Sequence, residues 1–244
     1  QESRGLGDVY KRQILYGLTF IGVVITFLAE VFVTSAYKKY EKISNKRGMT
    51  GKEAARYLLD KNGLSDIKIE RTSGFLTDHY DPTNKVIRLS SSNYNEASIA
   101  SVAVACHECG HAIQDKEGYF FLRFRNKLIP VVNFSSKFGY FAILFGCLFG
   151  SFNLVWLGII LEMVILFFQI ITLPVEVNAS RRALKELDYA HFFTSKELDD
   201  GKVMLTAAAL TYVASILTTL LELLRLIMIC LLYTSPSPRD SWAS

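Results

Sequence analysis

Val104-Ala105-Cys106-His107-Glu108-Cys109-Gly110-His111 is the stretch on which the reading of this chain turns. It closes a helically spaced apolar run (Ala97, Ile99, Ala100, Val102, Ala103) and holds two of only four histidines. Residues four apart share one face of a helix, so His107 and His111 can reach a single metal ion. Glu108, directly after the first histidine, stands where it can take a proton from a zinc-bound water, the H-E-x-x-H hydrolase pattern. One Zn²⁺ per chain is the expected cofactor. The apolar lead-in is only about ten residues, well short of the roughly 20 that cross a bilayer. The spacing therefore predicts a helix buried in protein, ending at Gly118.

Longer apolar runs flank this helix. The chain of 244 residues is 50% hydrophobic, with a formal charge of +4. That charge is too small and too scattered for nucleic-acid binding. The apolar residues gather in 14–36, in 131–173 and in 204–229. The middle run divides at Gly150-Ser151-Phe152-Asn153 into two spans, a hairpin of 131–150 and 154–173, with Pro174 expected to stop the second. Four transmembrane helices result, and 174–203 forms a helix and loop between the last two. Four cysteines at these positions do not form a secreted disulfide framework. Cys106 and Cys109 read as small buried thiols, turned away from the histidine face.

Residues 37–130 carry the soluble patterns. Thr50-Gly51-Lys52-Glu53 is a capping box opening a helix that stops at Asn62-Gly63. Residues 67–71 and 85–90 alternate at strand period, and the turn-rich 78–84 joins them into a small sheet. The fold class expected is a mainly α membrane protein, about four transmembrane helices with a small α+β zincin-like catalytic domain.

Lys and Arg cluster at 38–42, 123–127 and 181–185, whereas the hairpin turn carries no charge. By the positive-inside rule the three basic segments face the cytoplasm. That arrangement puts the His107 helix and Glu176 on the same face, as a shared metal requires. A catalytic zinc takes three protein ligands and keeps one position open. Candidates for the third are Glu176, Asp199, Asp200, His191 and His79. Glu176 is the best placed, because a carboxylate at the mouth of a membrane span needs a partner. Ser180 lies one turn further on.

Three segments together resemble a known family. Residues 76–82 (LTDHYDP), 104–115 (VACHECGHAIQD) and 173–184 (LPVEVNASRRAL) look like the bacterial membrane-bound neutral zinc metallopeptidases, the YugP-like group. The resemblance spans essentially 14–229. It implies a gluzincin-type peptidase in a bacterial cytoplasmic membrane, with Glu176 as third ligand and Ser180 as a partner that orients a ligand. Its partners would be a peptide or protein substrate, membrane proteins among them, and the lipid bilayer. Two other functions compete. One is an intramembrane zinc protease using Asp199 or Asp200 as third ligand; the other is a non-catalytic membrane protein that zinc merely staples.

Residues 1–13 and 230–244 read as foreign to the chain. Asp8-Val9-Tyr10-Lys11-Arg12-Gln13 and Cys230-Leu231-Leu232-Tyr233-Thr234-Ser235 can be written with codons that are nearly reverse complements. They resemble the transposon end used to fragment DNA for sequencing, and the native protein is expected to run from about Ile14 to Ile229.

Overall fold

The computed structural model describes the backbone of residues 2–234 and the side chains of 13–230. The two tails read as foreign lie almost wholly outside the described side chains. The elements are α1 (Glu2–Glu41), α2 (Gly51–Lys61), β1 (Lys68–Thr72), β2 (His79–Asp81), β3 (Val86–Ser90), α3 (Ser91–Asn95) and α4 (Ile99–Glu117). They continue with α5 (Phe120–Phe149), α6 (Phe152–Tyr189) and α7 (Ser195–Thr234). The chain divides into two compact units. One comprises 28–127 with 171–213; the other comprises the residues up to 27, 128–170 and those from 214 onward.

In the first unit α4 is the central helix. Among residues 99–114 only Val104 and His107 escape full burial, which is why the run is apolar on nearly every side. Ala54, Ala55, Leu58 and Leu59 of α2 are wholly buried, and they join Val102, Ala105, Cys106 and Cys109 of α4 in one core. The Thr50–Glu53 capping box forms as expected, the Thr50 N–H donating to Glu53 Oε2 at 2.8 Å. A second capping box opens α4. The Ser101 N–H donates to Ser98 Oγ at 3.0 Å, and the Ser98 N–H to Ser101 Oγ at 2.9 Å. Gly118 closes the helix in the left-handed region at φ 69°.

The sheet has three strands in the order β1-β3-β2, one more than the alternation suggested. β1 runs parallel to β3, and the turn-rich segment supplies β2, antiparallel to β3. Val86, Ile87, Leu89 and Ser90 of β3 are buried, so this strand sits centrally and takes a partner on each edge. Asp81 accepts from the Thr83 and Asn84 N–H groups at 2.9 and 3.1 Å, closing the β2–β3 turn.

Pro174 does not end a helix, contrary to the sequence reading; it lies inside α6. A proline in a helix interior costs roughly 3 kcal/mol by losing a hydrogen bond and crowding the preceding turn. Beyond it, Val175, Ala179, Ala183 and Leu187 recur every four residues and are all at most 1% exposed. That buried stripe offsets the cost and carries the helix on to Tyr189. Helix α5 begins at Phe120, so Arg123, Arg125 and Lys127 of the basic 123–127 segment are helical. At the start of α7, Glu197 Oε2 accepts from the Thr194 N–H at 2.8 Å, and its Oε1 from the Lys46 N–H at 2.7 Å.

In the second unit, α5 and α6 cross closely at glycines. A Cβ on Gly146 would meet the Val155 nitrogen at 2.8 Å, and one on Gly158 would meet the Gly139 oxygen at 3.2 Å. Small residues at such crossings let apolar helices approach and gain dispersion contact. Val155 and Ile159 of α6 pack with Leu223 and Leu226 of α7. Within α7 the Glu222 and Arg225 side chains pair at 2.8 Å, which spares either charge from facing an apolar surround alone. Among the described residues, four helices are long and apolar enough to cross a membrane: Gln13–Glu41, Phe120–Phe149, Phe152–Tyr189 and Ser195–Cys230. Phe134, Phe138, Phe141, Phe145 and Phe149 of α5 lie exposed, as lipid-facing side chains do.

Because the Ser98–Ser101 box is buried, Ser98→Ala should destabilise the protein by about 1 kcal/mol. A thermal midpoint in detergent unchanged from the parent would contradict this.

Candidate metal centre

Helix α4 sets two of the donors by its own period. His107 and His111 project from the same face with ring centroids 4.8 Å apart. The third donor comes from α6: Glu176 Oε2 lies 3.3 Å from His107 Nε2 and 3.5 Å from His111 Nε2. Donors bound at about 2.0–2.1 Å in a tetrahedral shell stand about 3.3–3.4 Å apart. The two histidine–carboxylate separations are close to that spacing, and the three donor atoms all lie within 4.8 Å of one another. Two imidazole nitrogens and one carboxylate oxygen are also a donor set that zinc accepts readily. Among the described residues, His107, His111 and Glu176 are the group of His, Cys, Asp and Glu side chains able to hold a metal ion.

The far side of each histidine ring is engaged. Ser180 Oγ lies 3.1 Å from His107 Nδ1, and Gln114 Oε1 lies 3.0 Å from His111 Nδ1. An amide oxygen only accepts, so Nδ1 of His111 is the donor of that bond, and in the neutral ring Nε2 is then the lone-pair nitrogen facing Glu176. Gln114 is fully buried, and its amide nitrogen donates to Val175 O and to Asn178 Oδ1, each at 2.9 Å. One side chain thus fixes a ring tautomer and ties α4 to α6. Arg125 Nη1 lies 3.3 Å from Glu176 Oε1, the carboxylate oxygen turned away from the histidines. Glu176 is 5% exposed, and these three cationic or polarisable neighbours offset the cost of burying its charge.

Gly110 is the reason the two helices come close enough. A Cβ there would stand 2.6 Å from the Ala179 carbonyl oxygen and 3.1 Å from its Cα. Both are backbone atoms of α6, so only glycine lets Glu176 and Ser180 approach the histidine face.

Glu108 is buried beside the three donors. Desolvation pushes its carboxyl up to about 7, with the Glu176 and Asp78 charges adding to the rise and His107 opposing it. The Tyr80 backbone N–H of β2 bears on the ionised form and favours it. Asp78 anchors the segment leading into β2. It accepts from the Ser90 N–H at 2.7 Å, from Ser90 Oγ at 3.1 Å and from Asn93 Nδ2 at 2.9 Å. Tyr37 of α1 then donates to Asn93 Oδ1 at 2.8 Å.

The other candidates fall elsewhere. Asp199, Asp200, His191 and His79 are outside the donor group; His79 is engaged with the Thr77 carbonyl and with Arg88. Cys106 and Cys109 are free and fully buried, and burial pushes both thiols well above their ordinary range. Gln114, Arg125, Asp78 and Tyr212, the last lining a cavity together with His107, Glu108 and Glu176, are not among the sequence candidates. Gln114 had a readable signal, sitting three residues after His111 on the same helix face.

The fold and the donor set together define a membrane-associated zinc metallopeptidase class. The chain belongs to the family described as "Putative neutral zinc metallopeptidase", whose model matches residues 15–231. It is similar to "Putative membrane protease YugP" of Bacillus subtilis (strain 168), 48% identical over 214 residues, covering 88% of this chain and 95% of that protein. No solved structure matches the chain. Zinc is the metal the family implies, and the His107–His111–Glu176 group fits it.

Gln114→Leu removes the acceptor that holds His111. Losses of this kind weaken metal binding by about 10- to 100-fold. Zinc affinity measured by competition with a chelator should fall in that range, and parental affinity in Gln114→Leu would show that His111 orients without it.

Proposed function

We propose that the chain hydrolyses peptide bonds, with His107, His111 and Glu176 holding one zinc ion and Glu108 acting as general base. The observation that carries this reading is the convergence of Glu176 Oε2 on both Nε2 atoms at 3.3 and 3.5 Å. When bound, zinc supplies Lewis acidity, polarising the scissile carbonyl and acidifying water at the open position. Glu108 takes the proton of the attacking water and then delivers it to the leaving amine. Burial that raises the carboxyl toward neutrality suits both halves of that transfer. Gln114, as an acceptor at Nδ1, favours the His111 tautomer with Nε2 free, Ser180 orients the His107 ring, and Arg125 balances the Glu176 charge.

The donor group lends no support to Asp199 or Asp200 as third ligand, since it contains neither. A purely structural zinc would not need a buried carboxyl beside its donors, which favours catalysis over a staple.

Glu108→Gln should retain stoichiometric zinc and lose at least about 100-fold in kcat/KM. Glu176→Ala should lose zinc, whereas Asp199→Ala should keep it. Turnover by Glu108→Gln at the parental rate would overturn the base, and zinc loss in Asp199→Ala but not in Glu176→Ala would overturn the ligand set.

We further infer that the catalytic unit faces the cytoplasm of a bacterial cell. The support is the excess of Lys and Arg at 38–42, 123–127 and 181–185, against an uncharged 150–153 turn. A reporter inserted after Ser91 should be active only in the cytoplasm. Activity confined to the outer face would reverse the topology.

A further inference from the structure

The cavity that opens on the donor group has a volume of about 300 Å³, more than a water and one carbonyl require. Its size lies at the small end of ligand pockets, which run from about 300 to 1,000 Å³. That is room for one or two residue side chains. His107, Glu108 and Glu176 form part of its wall, and most of the rest is apolar: Val33 of α1, Leu76 ahead of β2, Val104 of α4, and Met204, Ala208 and Ala209 of α7. Val104 and His107, the two positions of 99–114 that are not fully buried, both face this space. The charged groups lining it are Asp78, Glu108 and Glu176, with no lysine or arginine among them. Asp78 is already engaged by Ser90 and Asn93, so it is not free to receive a substrate group.

These features select one kind of occupant. An apolar side chain entering the space removes both its own surface and the wall's from water, which is favourable in proportion to area. An acidic side chain would meet three carboxylates and no lysine or arginine. The α7 part of the wall is made of the small residues Ala208 and Ala209, while the neighbouring Ala207 is turned into the core at 1% exposure. Helical spacing sends a longer side chain at 208 or 209 into the cavity and not into the packed core.

We propose that this cavity receives a bulky apolar side chain immediately beside the scissile bond of an extended peptide, and that Ala208 and Ala209 set how large that side chain can be. The assignment rests on the peptidase reading above.

The test uses the full-length zinc-loaded protein in detergent. Fluorogenic peptides carry Phe, Leu, Ala, Lys or Asp at each position flanking the cleaved bond. At one of the two positions, kcat/KM for Phe or Leu should exceed that for Ala and Asp by about tenfold or more, the usual range for a hydrophobic pocket. Ala208→Phe or Ala209→Phe should lower the Phe-to-Ala ratio by about tenfold, with zinc content reporting an intact site. If either variant fails to load zinc, Ala208→Leu and Ala209→Leu serve in its place. Equal rates for all five residues at both positions in the parent overturn the pocket. So does an unchanged Phe-to-Ala ratio in zinc-loaded variants at both 208 and 209. A zinc-loaded parent that cleaves none of the peptides overturns the peptidase reading itself, and the pocket with it.

Discussion

The catalytic unit depends on one buried carboxylate. Glu176 has left water almost completely, and an uncompensated charge in such a place would drive the helices apart or force protonation. Two imidazole nitrogens on one carboxylate oxygen and Arg125 on the other hold it in place. The requirement runs outward from there. The α4–α6 distance must be short, so Gly110 faces the Ala179 backbone. The histidine rings must present Nε2, so Ser180 and Gln114 occupy Nδ1. The α6 helix must continue beyond Pro174, so a fully buried stripe from Val175 to Leu187 compensates the proline.

The polar residues around this centre divide between those that hold the histidine and Glu176 side chains and those that surround Glu108. Gln114, Asn178 and Arg182 form a chain on the α4–α6 seam, Asn178 Oδ1 accepting from both Gln114 and the Arg182 Nε at 2.7 Å. Asp78, Ser90, Asn93 and Tyr37 form another, which anchors the start of β2 and so the Tyr80 N–H beside Glu108. The 76–82 motif, which has no metal donor in the observed group, is explained by this second chain. It holds the Tyr80 N–H beside Glu108 and adds no member to the donor group.

Much of the fold was legible because its signals are local. The capping box at Thr50, the stop at Gly118, the four apolar spans and the buried character of the His107 helix each follow from residues within a few positions of one another. Two readings failed where distant packing overrode a local rule. Pro174 breaks helices in isolation, but the buried stripe after it outweighs the lost hydrogen bond. The 78–84 segment carries turn residues throughout, yet a central β3 buried on both faces needs a second edge and draws His79–Asp81 into the sheet.

The sequence by itself determined the chemistry of the donors: the helical period brings His107 and His111 to one face with Glu108 beside them, and no distant contact is needed. It also determined that a third donor should lie near a span mouth, since a carboxylate there requires a partner. Only the tertiary structure brings Glu176, 69 residues from His107, within reach of both histidine rings, and it leaves Asp199, Asp200, His191 and His79 outside that group. It alone decided which groups face each Nδ1, the place of Gln114 and the apolar cavity walls. These depend on the angle and distance between packed helices, which arise from the whole core and are written in no single segment.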